Sequence, residues 1–321
     1  MHASVMITGG GGAGTVSLLN YFESQGYRVL IGDADADAID PRIPSEKRIL
    51  LPYGTDKNFS DVMKQICLDY SIDFLIPGVD EELFSLSKYA EINRNFVCYL
   101  PTVNTVEVCL DKLATYEVLK AHGLPVPVTS TATVKPKNSE CPLIVKPRSG
   151  RGSRGVVVIS VPEQVAGYLL LNQADPDKII IQEFLQGREY TVFVAASHQG
   201  LLQMVVPLRV LKKRGITIDA IVDYNPIVID YCKRIADAIK PHGPINVQLI
   251  LGDDDVCRAF EINPRVSTTF LVSLINGFDP VIQFRSTNRI PASLSPPEGT
   301  RLRRSWENLV HVGADQPWRT M

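Results

Sequence analysis

The sequence has no surplus of positive charge. Its 33 lysines and arginines are outnumbered by 35 aspartates and glutamates, giving a formal net charge of −2. Holding a nucleic-acid backbone requires a basic field, so nucleic acid is not expected as a partner. Cysteine is sparse. Cys67, Cys98, Cys109, Cys141, Cys232 and Cys257 are scattered and form no CxxC pair. That spacing argues against zinc or redox use and for the reduced thiols of a cytoplasmic protein. No apolar run approaches the roughly 18 residues of a membrane span. The opening Met1-His-Ala-Ser-Val-Met-Ile-Thr8 lacks a basic n-region and a cleavage pattern, so no signal peptide is expected. No internal repeat or low-complexity block interrupts the chain. What is there is ordinary globular composition over 321 residues, 45% hydrophobic and 21% charged. The length suggests two or three domains.

Val5-Met-Ile-Thr8 reads as a buried strand and Gly9-Gly-Gly-Gly12-Ala-Gly14 as a tight turn. Residues 15–25 carry helical apolar spacing at Val16, Leu18, Leu19 and Phe22, and residues 27–31 form a second strand ending at Gly32-Asp33. This opening is of the doubly wound kind. Helices over 59–70 and 81–93 alternate with strands over 73–76 and 96–100, which implies a parallel sheet. A helix over about 110–121 follows, closed by His122-Gly123. Beyond it come strands near 143–147, 156–159 and 179–184, a helix over 162–172, a hairpin over 190–196 and 201–206, and a helix within 222–240. Residues 291–304, rich in proline and arginine, read as a tail hugging the surface. The expected class is α/β and α+β, divided at about 1–105, 106–185 and 186–321.

The most informative stretch is Asn246-Val-Gln248, followed after an acidic turn by Glu261-Ile-Asn263-Pro-Arg265. Residues 245–251 and 256–262 read as paired strands around Gly252-Asp253-Asp254-Asp255. Side chains alternate between faces of a strand. Glu261 and Asn263 therefore share one face, within reach of Gln248, while Phe260 and Ile262 are expected to point into a core. One carboxylate and two amide oxygens form a hard donor set of the kind Mg²⁺ takes alongside substrate phosphates. Arg265 supplies a fork that fits a phosphate or carboxylate. Taken alone, Asn263-Pro264 fits a plain turn and Glu261 a surface acid equally well.

Lys112 opens a helix after Asp111, and Lys146 lies on a strand before Pro147. Ser149-Gly150-Arg151-Gly152-Ser153-Arg154-Gly155 is a glycine loop whose backbone N–H groups can approach phosphate oxygens closely. In order, Lys112, Lys146, this loop, Gln182-Glu183-Phe184-Leu185 with Gly187 and Glu189, then Gln248, Glu261, Asn263 and Arg265 resemble the pattern of the ATP-grasp superfamily. Asn246-Val-Gln248 with Glu261-Ile-Asn263-Pro-Arg265-Val-Ser267 is similar to the ATP-grasp domains of the carbamoyl-phosphate synthase large subunit. The resemblance covers most of residues 100–280. Residues 1–100 resemble the doubly wound pre-ATP-grasp domain that precedes a two-lobed module of this kind.

The resemblance implies roles. Lys112 and Lys146 would hold nucleotide phosphates, with the loop containing Ser149, Gly150, Gly152, Ser153 and Gly155 closing over them as a lid. Gln182 stands at the hinge, where many members have an acid. Glu183 and the backbone of Phe184 and Leu185 would read adenine, and Glu189 the ribose hydroxyls. Gln248, Glu261 and Asn263 would bind Mg²⁺, with Mn²⁺ as a substitute. Arg265 would stabilise the transferred phosphoryl group or an acylphosphate. Arg209, Lys212, Lys213 and Arg214 lie where the family often places further basic groups, though such a run is equally a solvated loop. The implied activity is an ATP- and Mg²⁺-dependent ligase that joins a small-molecule carboxylate to an amine, in a possible homodimer. The rivals are a carbamoyl-phosphate-synthase-like subunit, a non-catalytic nucleotide-binding module, and an NAD enzyme built on Gly9–Gly14 and Asp33. Gly78-Val-Asp80-Glu81-Glu82 sits at a strand's carboxyl edge. It reads as a helix N-terminus capped by Asp80, or as a contact to the acceptor.

Overall fold

A computed structural model describes residues 3–92, 95–137, 141–307, 309–310 and 318–320. The first third alternates strands and helices: β1 (Ser4–Thr8), α1 (Thr15–Ser24), β2 (Arg28–Asp33), β3 (Arg48–Leu50), α2 (Phe59–Asp69), β4 (Phe74–Ile76), α3 (Asp80–Ile92) and β5 (Val97–Cys98). The strands form a parallel sheet in the order β3-β2-β1-β4-β5. Its strands are buried on both faces, which is why they read as continuous apolar runs. Alternation sorts their side chains into two cores. Met6, Leu30 and Leu75 pack with residues of α2 and α3, while Val5, Ile7, Val29, Ile31, Phe74 and Ile76 join the other face.

Two helices then follow, α4 (Val103–Leu110) and α5 (Lys112–Ala121), where the sequence suggested one. Asp111 separates them. Its carboxylate accepts from the N–H groups of Leu113 (3.0 Å) and Ala114 (3.3 Å), which holds its own backbone extended as the cap of α5. A small antiparallel sheet, in the order β6-β9-β7-β8, is built from β6 (Thr129–Thr131), β7 (Leu143–Pro147), β8 (Val157–Ile159) and β9 (Ile179–Glu183). Its Leu143, Val145, Ile159, Ile179 and Ile181 pack on Val165 and Tyr168 of α6 (Gln164–Leu171). The opposite face carries Ile144, Lys146 and Gln182, which line a cleft.

The large antiparallel sheet runs β14-β13-β10-β11-β12-β15. Its strands are β10 (Arg188–Ala196), β11 (Leu202–Arg214), β12 (Ile216–Val222), β13 (Pro244–Leu251), β14 (Cys257–Asn263) and β15 (Arg301–Arg303), with α7 (Pro226–Ile239) crossing between β12 and β13. Strands β3, β6, β12 and β15 were not anticipated. The arginine-rich tail does more than hug the surface. β15 adds to the edge of β12, and Arg301 clasps Asp219 with two bonds of 2.8 and 2.6 Å.

One face of this sheet (Tyr190, Val192, Val194, Ile245, Val247, Leu249) packs on α7 and Leu119 of α5. The other face contributes Phe193, Ala195, Met204, Val206, Leu208 and Ala220 to the same cluster that Val5, Ile7 and Phe74 enter from the parallel sheet. Phe270, Phe278 and Phe284 fill the space between them. Burial of each of these phenyl rings contributes about 1.5–3 kcal/mol.

Candidate active site

The face that is apolar at Phe193 and Ala195 turns polar further along β10, at Thr191 and Glu189, by plain period-two alternation. The neighbouring strands continue it. Thr191 pairs with Gln248, Gln248 with Glu261, and Asn246 with Asn263. Six oxygen-bearing side chains thus form an array on three adjacent strands. Thr191 Oγ1 donates to Asn246 Oδ1 at 3.0 Å, and Gln248 Nε2 donates to Glu261 Oε2 at 3.2 Å.

Three lysines meet this array. Lys112, at the head of α5, places Nζ 3.6 Å from Glu261 Oε1 and donates to Gly150 O at 2.8 Å. Its position is fixed by Arg148, which chelates the Asp111 cap at 2.6–2.9 Å. Lys146 donates to Gln182 Oε1 (2.8 Å) and Phe260 O (3.2 Å). Lys213 donates to Glu189 Oε1 (2.5 Å) and Gln248 Oε1 (3.2 Å). Lys146 is only 5% exposed. Its burial, with a smaller contribution from Lys112 and Lys213, pulls its pKa from 10.5 down to about 8 against the pull of Glu261.

Phe260 corrects an expectation. It does not enter a core but lines the cleft, with Lys146 and Lys213 5.5 and 5.6 Å from its ring centre. Gln248 pairs with Glu261 and Leu249 with Ala259, so Phe260 is the extra residue of a β-bulge. A bulge interrupts alternation and turns the ring to the side of Glu261. Lys213 was legible only as part of a basic run. Register shifts around Lys212 place it on β11 with its ammonium in the cleft, and the run is strand rather than loop. Arg209 instead pairs with Asp223 at 3.2 Å.

Two cavities meet here. The first, about 310 Å³, lies between the small and large sheets. It is lined by Lys112, Lys146, Gly150, Ser153, Gln182, Glu183, Phe184, Leu185, Glu189 and Glu261. The second, about 760 Å³, opens towards the carboxyl edge of the parallel sheet and contains Gly152, Gln248, Asn263 and Arg265. Glu261, Lys213, Arg151, Ser153 and Arg154 border both. Ser149 and Gly155 frame the glycine loop without lining either cavity. The Glu183 carboxylate accepts from the Val128 N–H at 3.1 Å.

The glycine loop lies across this junction. Gly150, Gly152, Ser153 and Gly155 all have positive φ, and nothing lies within 4 Å of a Cβ built on Gly150 or Gly152. Glycine there serves backbone conformation, not close packing. Arg151 reaches Glu81 at 3.0 Å. Asp80 does not cap α3. Its carboxylate takes the Arg265 Nε–H at 2.6 Å. Asp33 accepts from the N–H groups of Gly11 (3.0 Å) and Asp35 (3.1 Å), so the glycine turn itself occupies it.

A family model described as ATP-grasp domain matches residues 109–269. The chain belongs to the ATP-grasp family. Its fold is shared by L-amino acid ligase from Bacillus licheniformis, with a TM-score of 0.69 at 18% identity, over 88% of this chain and 72% of that one. Carboxyaminoimidazole ribonucleotide synthase from Aspergillus clavatus, solved with ATP, gives 0.70 at 14% identity over 92% and 79%. Biotin carboxylase from Campylobacter jejuni, in a β-γ-ATP complex, gives 0.69 at 17% identity over 94% and 74%.

The residues of this ATP-grasp protein fit a magnesium nucleotide. Among the described residues no three His, Cys, Asp or Glu side chains cluster as metal ligands. Mg²⁺ asks for less, since one or two carboxylates with neutral oxygens and substrate phosphates suffice. Glu261 would supply the carboxylate. Among the described residues no group hydrogen-bonds the side-chain amide of Asn263, which is 7% exposed and lines the second cavity. Gln248 turns its nitrogen to Glu261 and its oxygen to Lys213. Rotation of that amide would present the oxygen beside Glu261.

Proposed function

We propose that this protein is an ATP- and Mg²⁺-dependent ligase that converts a carboxylate to an acylphosphate, which an amine then attacks with release of phosphate. The observation that carries this reading is that Lys112, Lys146, Lys213 and Glu261 line one nucleotide-sized cavity, with Lys112 3.6 Å from Glu261, where it opens into a second, polar one. Phosphoryl transfer needs positioning and charge neutralisation more than covalent help. Lys112 and Lys146 hold the phosphates. The backbone of Glu183, Phe184 and Leu185 faces the adenine, and Glu189 the ribose. The loop with Gly150, Gly152 and Ser153 excludes water from the phosphates. Gln248, Glu261 and Asn263 would hold Mg²⁺, which would supply charge neutralisation, with Mn²⁺ as a substitute. Arg265 stands over the second cavity, where its fork orients the carboxylate and then the acylphosphate.

A carbamoyl-phosphate-synthase-like reaction remains the second reading, favoured by the amide at Gln248. The committed Asp33 carboxylate speaks against NAD, and the combined lysine and oxygen set against a module that only binds. Six free cysteines suit a reducing, cytoplasmic setting. No described helix is long and apolar enough to cross a membrane. As an assembly we propose a homodimer, supported by the exposed Leu170 and Leu171 of α6 and tested by sedimentation velocity.

ATP with Mg²⁺ should raise the melting temperature and NAD should not. ADP release should then depend on an added carboxylate. Stabilisation by NAD alone would overturn the reading, while ADP release with bicarbonate alone would select the second.

A further inference from the structure

We infer that Glu82, set in place by Thr8, seats the amino group of the acceptor, so that the carboxylate substrate is an amino acid. The inference rests on the ligase reading and names the substrate class of the second cavity. The first turn of α3 carries three consecutive carboxylates. Asp80 is taken by Arg265 and Glu81 by Arg151. Glu82 goes elsewhere. It is 4% exposed and lines the floor of the 760 Å³ cavity. Its Oε2 accepts from the Thr8 hydroxyl at 2.5 Å, and that hydroxyl accepts in turn from the Gly78 N–H at 3.0 Å.

The hydroxyl's single proton is thereby used, and among the described residues no donor reaches Glu82 Oε1. Among the described residues no lysine or arginine forms an ion pair with it, and Arg151, held by Glu81, lowers its pKa only in part. The nearby Asp33 and Glu81 carry the same sign, and burial above all raises its pKa from 4.5 to about 7. A buried carboxylate in this state is costly unless a ligand completes it. A metal ion is poorly served there. Both Asp33 oxygens are bound by backbone N–H groups and Glu81 by Arg151. An ammonium group brings both the missing donor and the missing charge. Arg265, on the same cavity and tied to the same helical turn, offers the place for the other end of a zwitterion.

The test runs on the whole protein with ATP, Mg²⁺ and hydroxylamine. Hydroxylamine attacks an acylphosphate carbonyl to give a hydroxamate and phosphate, whatever the natural nucleophile. The substrates are the common L-amino acids, β-alanine and 4-aminobutyrate, each paired with its des-amino acid. At least one amino acid should give hydroxamate, with its des-amino partner about a hundredfold poorer or worse, as when a site built for N–H loses it. Glu82→Gln should raise the KM for that amino acid about tenfold or more and shrink the preference, with the KM for ATP and the ATP-induced thermal shift kept. Glu82→Asp, which keeps the charge, should retain part of the preference and covers the case of a misfolded Glu82→Gln. Equal use of des-amino acids, an unchanged KM in Glu82→Gln, or no hydroxamate from any amino acid would overturn the inference. If des-amino acids react, the ligase reading survives that failure. If ATP does not stabilise the protein, both fall.

Discussion

Arg265 and Asp80, 185 positions apart in the chain, form an ion pair of 2.6 Å with both side chains nearly buried. The pair ties the loop after β14 to the first turn of α3, adding a polar link between the parallel sheet and the cleft to the shared apolar core. Removing one partner of a desolvated pair leaves a charge without compensation. Asp80→Asn should therefore destabilise the fold by about 1–3 kcal/mol. A double-mutant cycle with Arg265→Lys, read by denaturant unfolding, should give coupling above about 0.5 kcal/mol. Additive effects would mean the contact is incidental.

Glu261 is the one carboxylate in the oxygen array that also faces Lys112. Glu261→Gln should lower turnover by at least about a hundredfold, the scale of losing a principal electrostatic stabiliser. The melting temperature without nucleotide should hold, because the amide is nearly isosteric and the site is open to solvent. Near-normal turnover would remove Glu261 from the reaction.

Nucleotide binding should depend on pH through Lys146. Burial pulls its pKa down to about 8, so above that pH the free protein loses the charge that meets the phosphates. Bound phosphate restores the higher pKa. ATP affinity should therefore weaken from pH 8 upward, by up to about tenfold per pH unit. Lys146→Arg, which stays charged, should flatten the profile measured by calorimetry at pH 7, 8 and 9.

Glu82 predicts a stability effect opposite to its role in binding. Its folded pKa, about 7, lies above the unfolded value of 4.5. The folded state then holds the proton more tightly. The contribution of this group is full below about pH 4.5 and is lost as pH rises through 7, on the order of 3 kcal/mol in all. Glu82→Gln has no such loss. Its melting temperature relative to the unaltered protein should climb by a few degrees between pH 5 and pH 8. A pH-independent difference would place Glu82 in contact with a cation.

The doubly wound opening and the pairing of Gln248, Glu261 and Asn263 were legible because period-two alternation and a short turn determine both. What was not legible turns on single residues. The bulge at Phe260 adds one residue to β14 and inverts the face of its ring. Lys213 follows two register shifts, so parity counting from β10 fails there. Helix α4 was missed, although Asp111 and Lys112 read as the start of a helix. Strand β12 carried a signal, the alternation of Ile216, Ile218, Ala220 and Val222, hidden behind the basic run. The Asp80–Arg265 and Arg151–Glu81 pairs join distant segments, and no local pattern announces such a contact.

The cluster that joins the two sheets gathers Val5 and Ile7 with Phe278 and Phe284. On a ribosome adding about 5–20 residues per second, the aliphatic residues of β1 emerge tens of seconds before the phenyl rings that will cover them. If the parallel sheet forms as it is made, one of its faces waits that long for its cover. The demand for chaperone protection should fall on the nascent chain rather than on the completed fold.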